Sequence, residues 1–160
     1  DLGYRKIPTA NKIKSALRDI RYNKRWPRFP SDLSARFEFS MLPVDGGSIR
    51  PHTDAPQKII TVVLSIINED EWPSDVGGGT QIVWPKDETK SFNPKNAYLG
   101  FDEVDVLDEY PFDPNQALLF VKTFNSWHAV LPMRGEGRTE MRKTLTINIE
   151  DPDLAAILDY

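Results

Sequence analysis

Hydrophobic and polar positions change their period along this chain, and each change marks a change of structure. Over residues 9–22 the apolar Ile13, Ala16, Leu17 and Ile20 recur at helical spacing, behind Thr9 or Asn11 as cap, which predicts a helix. Two prolines between Trp26 and Pro30 break it. From Arg36 the period falls to two, as Phe37, Phe39 and Met41 alternate with polar neighbours, and Pro43 to Gly47 reads as a turn. Lys58 to Asn68 is a nearly continuous Ile, Val and Leu run, the pattern of a buried strand. After the glycines at 77–79, further short strands are expected at Thr80–Trp84, Ala97–Phe101, Ala117–Lys122, Trp127–Leu131 and Met141–Glu150. An acidic loop is expected from Asp102 to Asp113, and a short helix over 153–159.

One helix followed by at least seven short strands predicts a mainly β protein. A double-sheet jelly roll or sandwich accommodates that order, whereas a parallel α/β sheet needs helices between the strands. The expected organisation is a single domain over 1–160, with a helical segment at 1–30 and a strand core at about 36–150. Cysteine is absent, which excludes disulfides, thiolate metal sites and cysteine nucleophiles. With no signal-peptide pattern and no apolar run near the roughly 20 residues of a membrane span, a soluble, cytoplasmic protein is the expectation. Charge is uneven: residues 1–28 carry +7 and the remainder −11. The basic segment reads as a solvated helix face or as a docking surface for an acidic partner. The acidic remainder argues against a nucleic-acid partner.

The candidate chemistry rests on the chain's two histidines. His52 opens His52-Thr53-Asp54, and in an extended segment residues two apart point to one face, so both side chains can reach one metal ion. The bland reading is a surface turn after Pro51. His128 sits between Trp127 and the apolar Ala129-Val130-Leu131, where it is either a satisfied core histidine or a third ligand. A His-x-Asp pair with a distant His is the parts list of the facial triad of non-haem Fe(II) enzymes. Arg142 on the last strand is costly to bury unless an anion meets it, and Thr144 shares its face. They form a plausible carboxylate clamp; alternatively Arg142 snorkels to solvent.

These segments, together with Ile60–Asn68, the Gly77-Gly78-Gly79-Thr80 run, Ala117-Leu118-Leu119-Phe120 and Trp127-His128-Ala129-Val130-Leu131-Pro132, resemble the 2-oxoglutarate and Fe(II)-dependent dioxygenase superfamily, especially its prolyl-4-hydroxylase-like branch. The similarity covers about residues 36–150. It implies a double-stranded β-helix, cupin-like, with the N-terminal helix packed outside. It also implies Fe(II) held by His52, Asp54 and His128, the far carboxylate of 2-oxoglutarate held by Arg142 with Thr144, O2 as co-substrate, and ascorbate for reactivation. The usual family spacing from distal histidine to basic residue would select Arg138 instead; Arg142 better reproduces the strand context, since Arg138 lies in a glycine-rich loop. The prolyl hydroxylases that modify collagen-type chains usually carry Lys at this position. Halogenating relatives replace the carboxylate with a small residue, so Asp54 favours hydroxylation.

The implied product is a hydroxylated small molecule or peptide, with peptidyl proline or an amino acid as candidate substrates. Asn148 stands where alkylation-repair relatives carry a second Arg, a further point against nucleic acid. The alternatives are a cupin-like metal enzyme that does not use 2-oxoglutarate and a catalytically silent binding module.

Overall fold

A computed structural model of the chain describes residues 33–68 and 71–151, together with Ala10, Lys14 and Leu154. Strand β1 (Ser34–Pro43) pairs antiparallel with β8 (Met141–Glu150) along its full length, and β8 pairs on its other edge with β3 (Lys58–Ser65). Strand β6 (Ala117–Val121) completes a four-stranded sheet of order β1-β8-β3-β6. The second sheet has the order β2-β7-β4-β5, from β2 (Ile49–His52), β7 (His128–Val130), β4 (Thr80–Pro85) and β5 (Val104–Tyr110). Every pairing is antiparallel, and the two sheets face each other as a jelly roll, one of the two double-sheet arrangements that the strand pattern allowed.

Alternation along β8 decides what each face of the first sheet carries. Thr144, Thr146 and Asn148 share one face with Ser40 and Glu38 of β1 and with Thr61, Val63 and Ser65 of β3. That largely polar face lines a cavity of about 320 Å³ between the sheets. Leu145, Ile147 and Ile149 turn the other way, beside Phe39, Phe37 and Ala35 of β1 and Leu64, Val62 and Ile60 of β3. On this outer face Phe37 is 63% and Phe39 79% exposed. The usual apolar-in, polar-out arrangement is thus reversed, which suits a cavity built to hold something polar.

The best-packed apolar cluster lies beneath the β4–β5 connection. Leu99 and Phe101 of that connection pack with Val83 of β4, Val104 of β5, and Trp127 and Ala129 on either side of His128.

Several expectations change. Ala97–Phe101 forms no strand, because the Ala97 and Leu99 amides bond to the Asn93 side chain and the Pro51 carbonyl instead of to a ladder. The acidic stretch expected as a loop contributes β5, an edge strand whose charged side chains discourage further pairing. The helix expected over 9–22 lies outside the described residues except for Ala10 and Lys14, so its packing on the outside is not part of the observed fold. The closing helix at 153–159 lies outside them too, apart from Leu154.

Candidate metal and co-substrate site

His52 is the last residue of β2 and His128 the first of β7, and the two face each other across the ladder. Their rings lie 4.3 Å apart between centroids. Asp54 follows just past the end of β2 and is buried, with a left-handed backbone at φ 69°. One ligand atom from each of His52, Asp54 and His128 falls within 4.8 Å of the others.

The hydrogen bonds fix which ring nitrogens face inward. His52 Nδ1 lies 2.8 Å from the Arg50 carbonyl and His128 Nδ1 lies 2.9 Å from the Ser126 carbonyl. A carbonyl only accepts, so each Nδ1 carries a proton and each ring turns its Nε2 toward Asp54. Those Nε2 atoms sit 3.7 and 3.9 Å from the Asp54 carboxylate oxygens. Two imidazole nitrogens and a carboxylate therefore converge, a donor set that suits a divalent cation.

Electrostatics keep the donors in the required states. Burial pushes the Asp54 carboxyl up, but His52, His128 and Lys58 outweigh it and hold it well below the usual carboxylate range. Burial first, and then the neighbouring His52, push His128 down to about 4, so its lone pair is free at neutral pH. Lys58 Nζ donates to Asp54 Oδ1 at 2.6 Å and Thr61 Oγ1 donates to Oδ2 at 3.0 Å. Thr61 also lies 3.2 Å from Asn148 Oδ1, and Asn148 Nδ2 donates to Glu38. Phe120 stacks on the His128 ring with centroids 4.6 Å apart.

Arg142 and Thr144 open onto the same cavity as His52, Asp54 and His128. Arg142 is 3% exposed, so the snorkelling alternative does not hold. Its Nε donates to the Gly78 carbonyl at 2.6 Å and its guanidinium lies 4.6 Å from the Phe112 ring centroid. Gly78 holds that carbonyl in place at φ 92°, where a Cβ would come within 2.8 Å of Trp72. Among the described residues Arg142 makes no ion pair, and burial alone pushes it down to about 10. Arg138 is instead exposed and forms a two-pronged pair with Asp75, both bonds 3.1 Å. It does not line the cavity.

The model of the 2OG-Fe(II) oxygenase superfamily matches residues 37–150. The chain belongs to this superfamily. No curated protein matches this oxygenase-family sequence. Among solved structures, it is similar to a prolyl-4-hydroxylase from Pseudomonas putida, with 16% identity and a TM-score of 0.49 over 95% of this chain and 70% of that one. A prolyl hydroxylase from Trichoplax adhaerens, in complex with a hypoxia inducible factor oxygen degradation domain peptide fragment, matches at 21% identity and a TM-score of 0.47, over 79% of this chain and 48% of that one. A Phytophthora capsici prolyl 4-hydroxylase structure matches at 17% identity and a TM-score of 0.49, over 96% of this chain and 46% of that one. The chain spans about half the length of these last two.

Sequence reasoning brought together the five residues His52, Asp54, His128, Arg142 and Thr144, all of which line the cavity. It missed Lys58, Thr61, Phe120 and Glu38, which surround the donors. Strand alternation from Arg142 through Thr144 and Thr146 carried a signal for the inner face, and extending it across the ladder would have reached Thr61.

Proposed function

We propose that this oxygenase-superfamily chain is an Fe(II)- and 2-oxoglutarate-dependent dioxygenase that hydroxylates an organic substrate. His52, Asp54 and His128 would hold the iron, and Arg142 with Thr144 would hold the far carboxylate of 2-oxoglutarate. The observation that carries the reading is the Arg142 guanidinium, buried and without an ion pair among the described residues, in the cavity that also holds the His-Asp-His donors. A buried cation with no anion is costly, and a dicarboxylate that also reaches the metal removes the cost. A metal-only cupin-like site gives that arginine no partner.

When bound, the iron and co-substrate supply the oxidising power, consuming O2 and releasing succinate and CO2. The chain's own contributions are definite. The two Nδ1–H bonds to backbone carbonyls hold both imidazoles with Nε2 inward. Lys58 and Thr61 orient the Asp54 carboxylate. The Gly78 carbonyl and Phe112 ring set the guanidinium at the inner end of the cavity. Phe120 walls His128 from one side.

For substrate, we propose a peptide or small molecule, with peptidyl proline or an amino acid first, on the strength of the prolyl-4-hydroxylase-like segments. Nucleic acid is disfavoured by the acidic core and by Asn148, which is fully buried between Thr61 and Glu38. Among the described residues no helix is long and apolar enough to cross a membrane.

The test is anaerobic addition of Fe(II) and 2-oxoglutarate, following the weak visible charge-transfer band of the chelate. Wild type should develop it and His128→Ala should not. No band in wild type, or an undiminished one in the variant, overturns the reading. A screen for succinate release over peptides and amino acids then finds the substrate.

A further inference from the structure

The Asp54 donor, just past β2, stands on a stretch of chain that sheet pairing does not hold. β2 ends at His52, and Thr53 and Asp54 lie beyond it. Thr53 is 0% exposed, so its amide and hydroxyl both need partners inside the protein. Both partners come from the β4–β5 connection. The Thr53 amide donates to Asn96 Oδ1 at 3.2 Å, and the Thr53 hydroxyl donates to the Asn93 carbonyl at 3.1 Å. One residue before His52, the Pro51 carbonyl accepts from the Leu99 amide at 3.1 Å. Above His52 itself, the Tyr98 ring stacks with centroids 5.6 Å apart.

The same connection also grips the segment that leads into His128. The Asn93 amide donates to the Phe124 carbonyl at 2.7 Å, and Trp127 Nε1 donates to the Ser91 carbonyl at 2.9 Å. Between these two grips the loop is stiffened by the Asn93 side chain, which donates to the Ala97 carbonyl and accepts from the Ala97 amide, both at 2.8 Å. Leu99 then anchors it in the apolar cluster with Trp127 and Ala129. One short piece of chain thus ties the residues around His52 and Asp54 to those around His128.

We propose that Asn93 and Asn96 are positioning residues for the metal site, and that residues 91–99 set the spacing between the His52–Asp54 pair and His128. The inference rests on the metal-binding reading above. It assigns to the β4–β5 connection a task that the strands themselves do not perform, because Asp54 lies outside any ladder.

Asn96 offers a clean perturbation. Its backbone is left-handed at φ 54°, which glycine adopts freely, so Asn96→Gly removes the acceptor without straining the turn. Asn96→Asp keeps an acceptor oxygen at the same place. Asn115 has the same backbone geometry at φ 55°, so Asn115→Gly is the matched control.

The experiment titrates each full-length, metal-free protein with Co(II) and follows the visible d–d bands, with urea unfolding of the metal-free forms alongside. Asn96→Gly should bind about five- to tenfold more weakly, the worth of one hydrogen bond, and with altered band shape. Asn96→Asp should restore both, and Asn115→Gly should match wild type. Thr53→Val, which deletes the hydroxyl bond to Asn93, should repeat the weakening and serves if Asn96→Gly does not fold. Wild-type affinity and spectrum in either folded variant overturn the proposal, as does equal weakening in Asn115→Gly. Wild type that binds no Co(II) overturns the metal-site reading and this inference with it.

Discussion

Replacing Arg142 by Met should cost the ligand-free protein at most about 2 kcal/mol while abolishing its response to 2-oxoglutarate. The two effects have separate physical causes. Burial alone pushes the Arg142 pKa down to about 10, which corresponds to about 3 kcal/mol against the charged form. Methionine has similar reach and no charge, so it removes that penalty. The substitution loses the charge-assisted bond to the Gly78 carbonyl, worth about 1.5–3 kcal/mol, and a buried cation–π contact with Phe112 worth about 0.5–2 kcal/mol. The balance leaves the variant between about 1 kcal/mol more stable and about 2 kcal/mol less stable than wild type, toward the mild end of the roughly 0.5–3 kcal/mol that buried substitutions commonly cost. Adding 2-oxoglutarate with Mn(II) at roughly 100 times its dissociation constant should stabilise wild type by about 2.7 kcal/mol. Arg142→Met should gain nothing. Urea unfolding with and without the co-substrate measures both quantities. A variant destabilised by more than about 2 kcal/mol without ligand, or stabilised by 2-oxoglutarate as wild type is, would refute the reasoning.

Thr61→Val keeps the shape of the side chain but deletes the hydroxyl that donates to Asp54. A bond to an ionised acceptor is worth about 1.5–3 kcal/mol, so Mn(II) affinity measured by electron paramagnetic resonance should fall about tenfold or more. Arg138→Ala breaks only an exposed pair with Asp75; calorimetry should find 2-oxoglutarate binding unchanged. Because His128 is pushed down to about 4 from an unfolded value of about 6.5, the unfolded chain binds the extra proton between those pH values. Stability of the metal-free protein should therefore be fully present above about pH 6.5 and fall by up to about 3 kcal/mol as pH drops toward 4. His128→Gln should flatten that slope in urea titrations.

Much of this site was legible because its parts are rare in the sequence and because β8 is regular. Alternation put Arg142 and Thr144 on one face, and the ladder kept them there. The His52 and Asp54 side chains converge by a different route from the one expected. An extended segment would have aligned the two side chains, but Asp54 is left-handed and lies past the strand, and its carboxylate returns to His52 through the backbone turn. Alternation cannot encode that geometry, and nothing local to Asp54 announces it. The β4–β5 connection was unreadable for a related reason. Its hydrogen bonds join Asn93 and Asn96 to residues some 40 positions away, and single-sequence patterns carry no such pairing. The acidic stretch hid β5 because an edge strand needs only one partner and tolerates charge that would be excluded from a sheet interior.

The left-handed backbone of Asp54 also bears on how this site could be re-engineered. The resemblance implies a small side chain at the carboxylate position of halogenating relatives, and both alanine and glycine are small enough. They are not equivalent here. At φ 69° alanine retains the roughly 1 kcal/mol steric conflict of an L-residue, whereas glycine relaxes it. A glycine at 54 would empty the proposed coordination position and unburden the main chain in the same step, so the easier path from the proposed hydroxylation toward halide transfer runs through glycine.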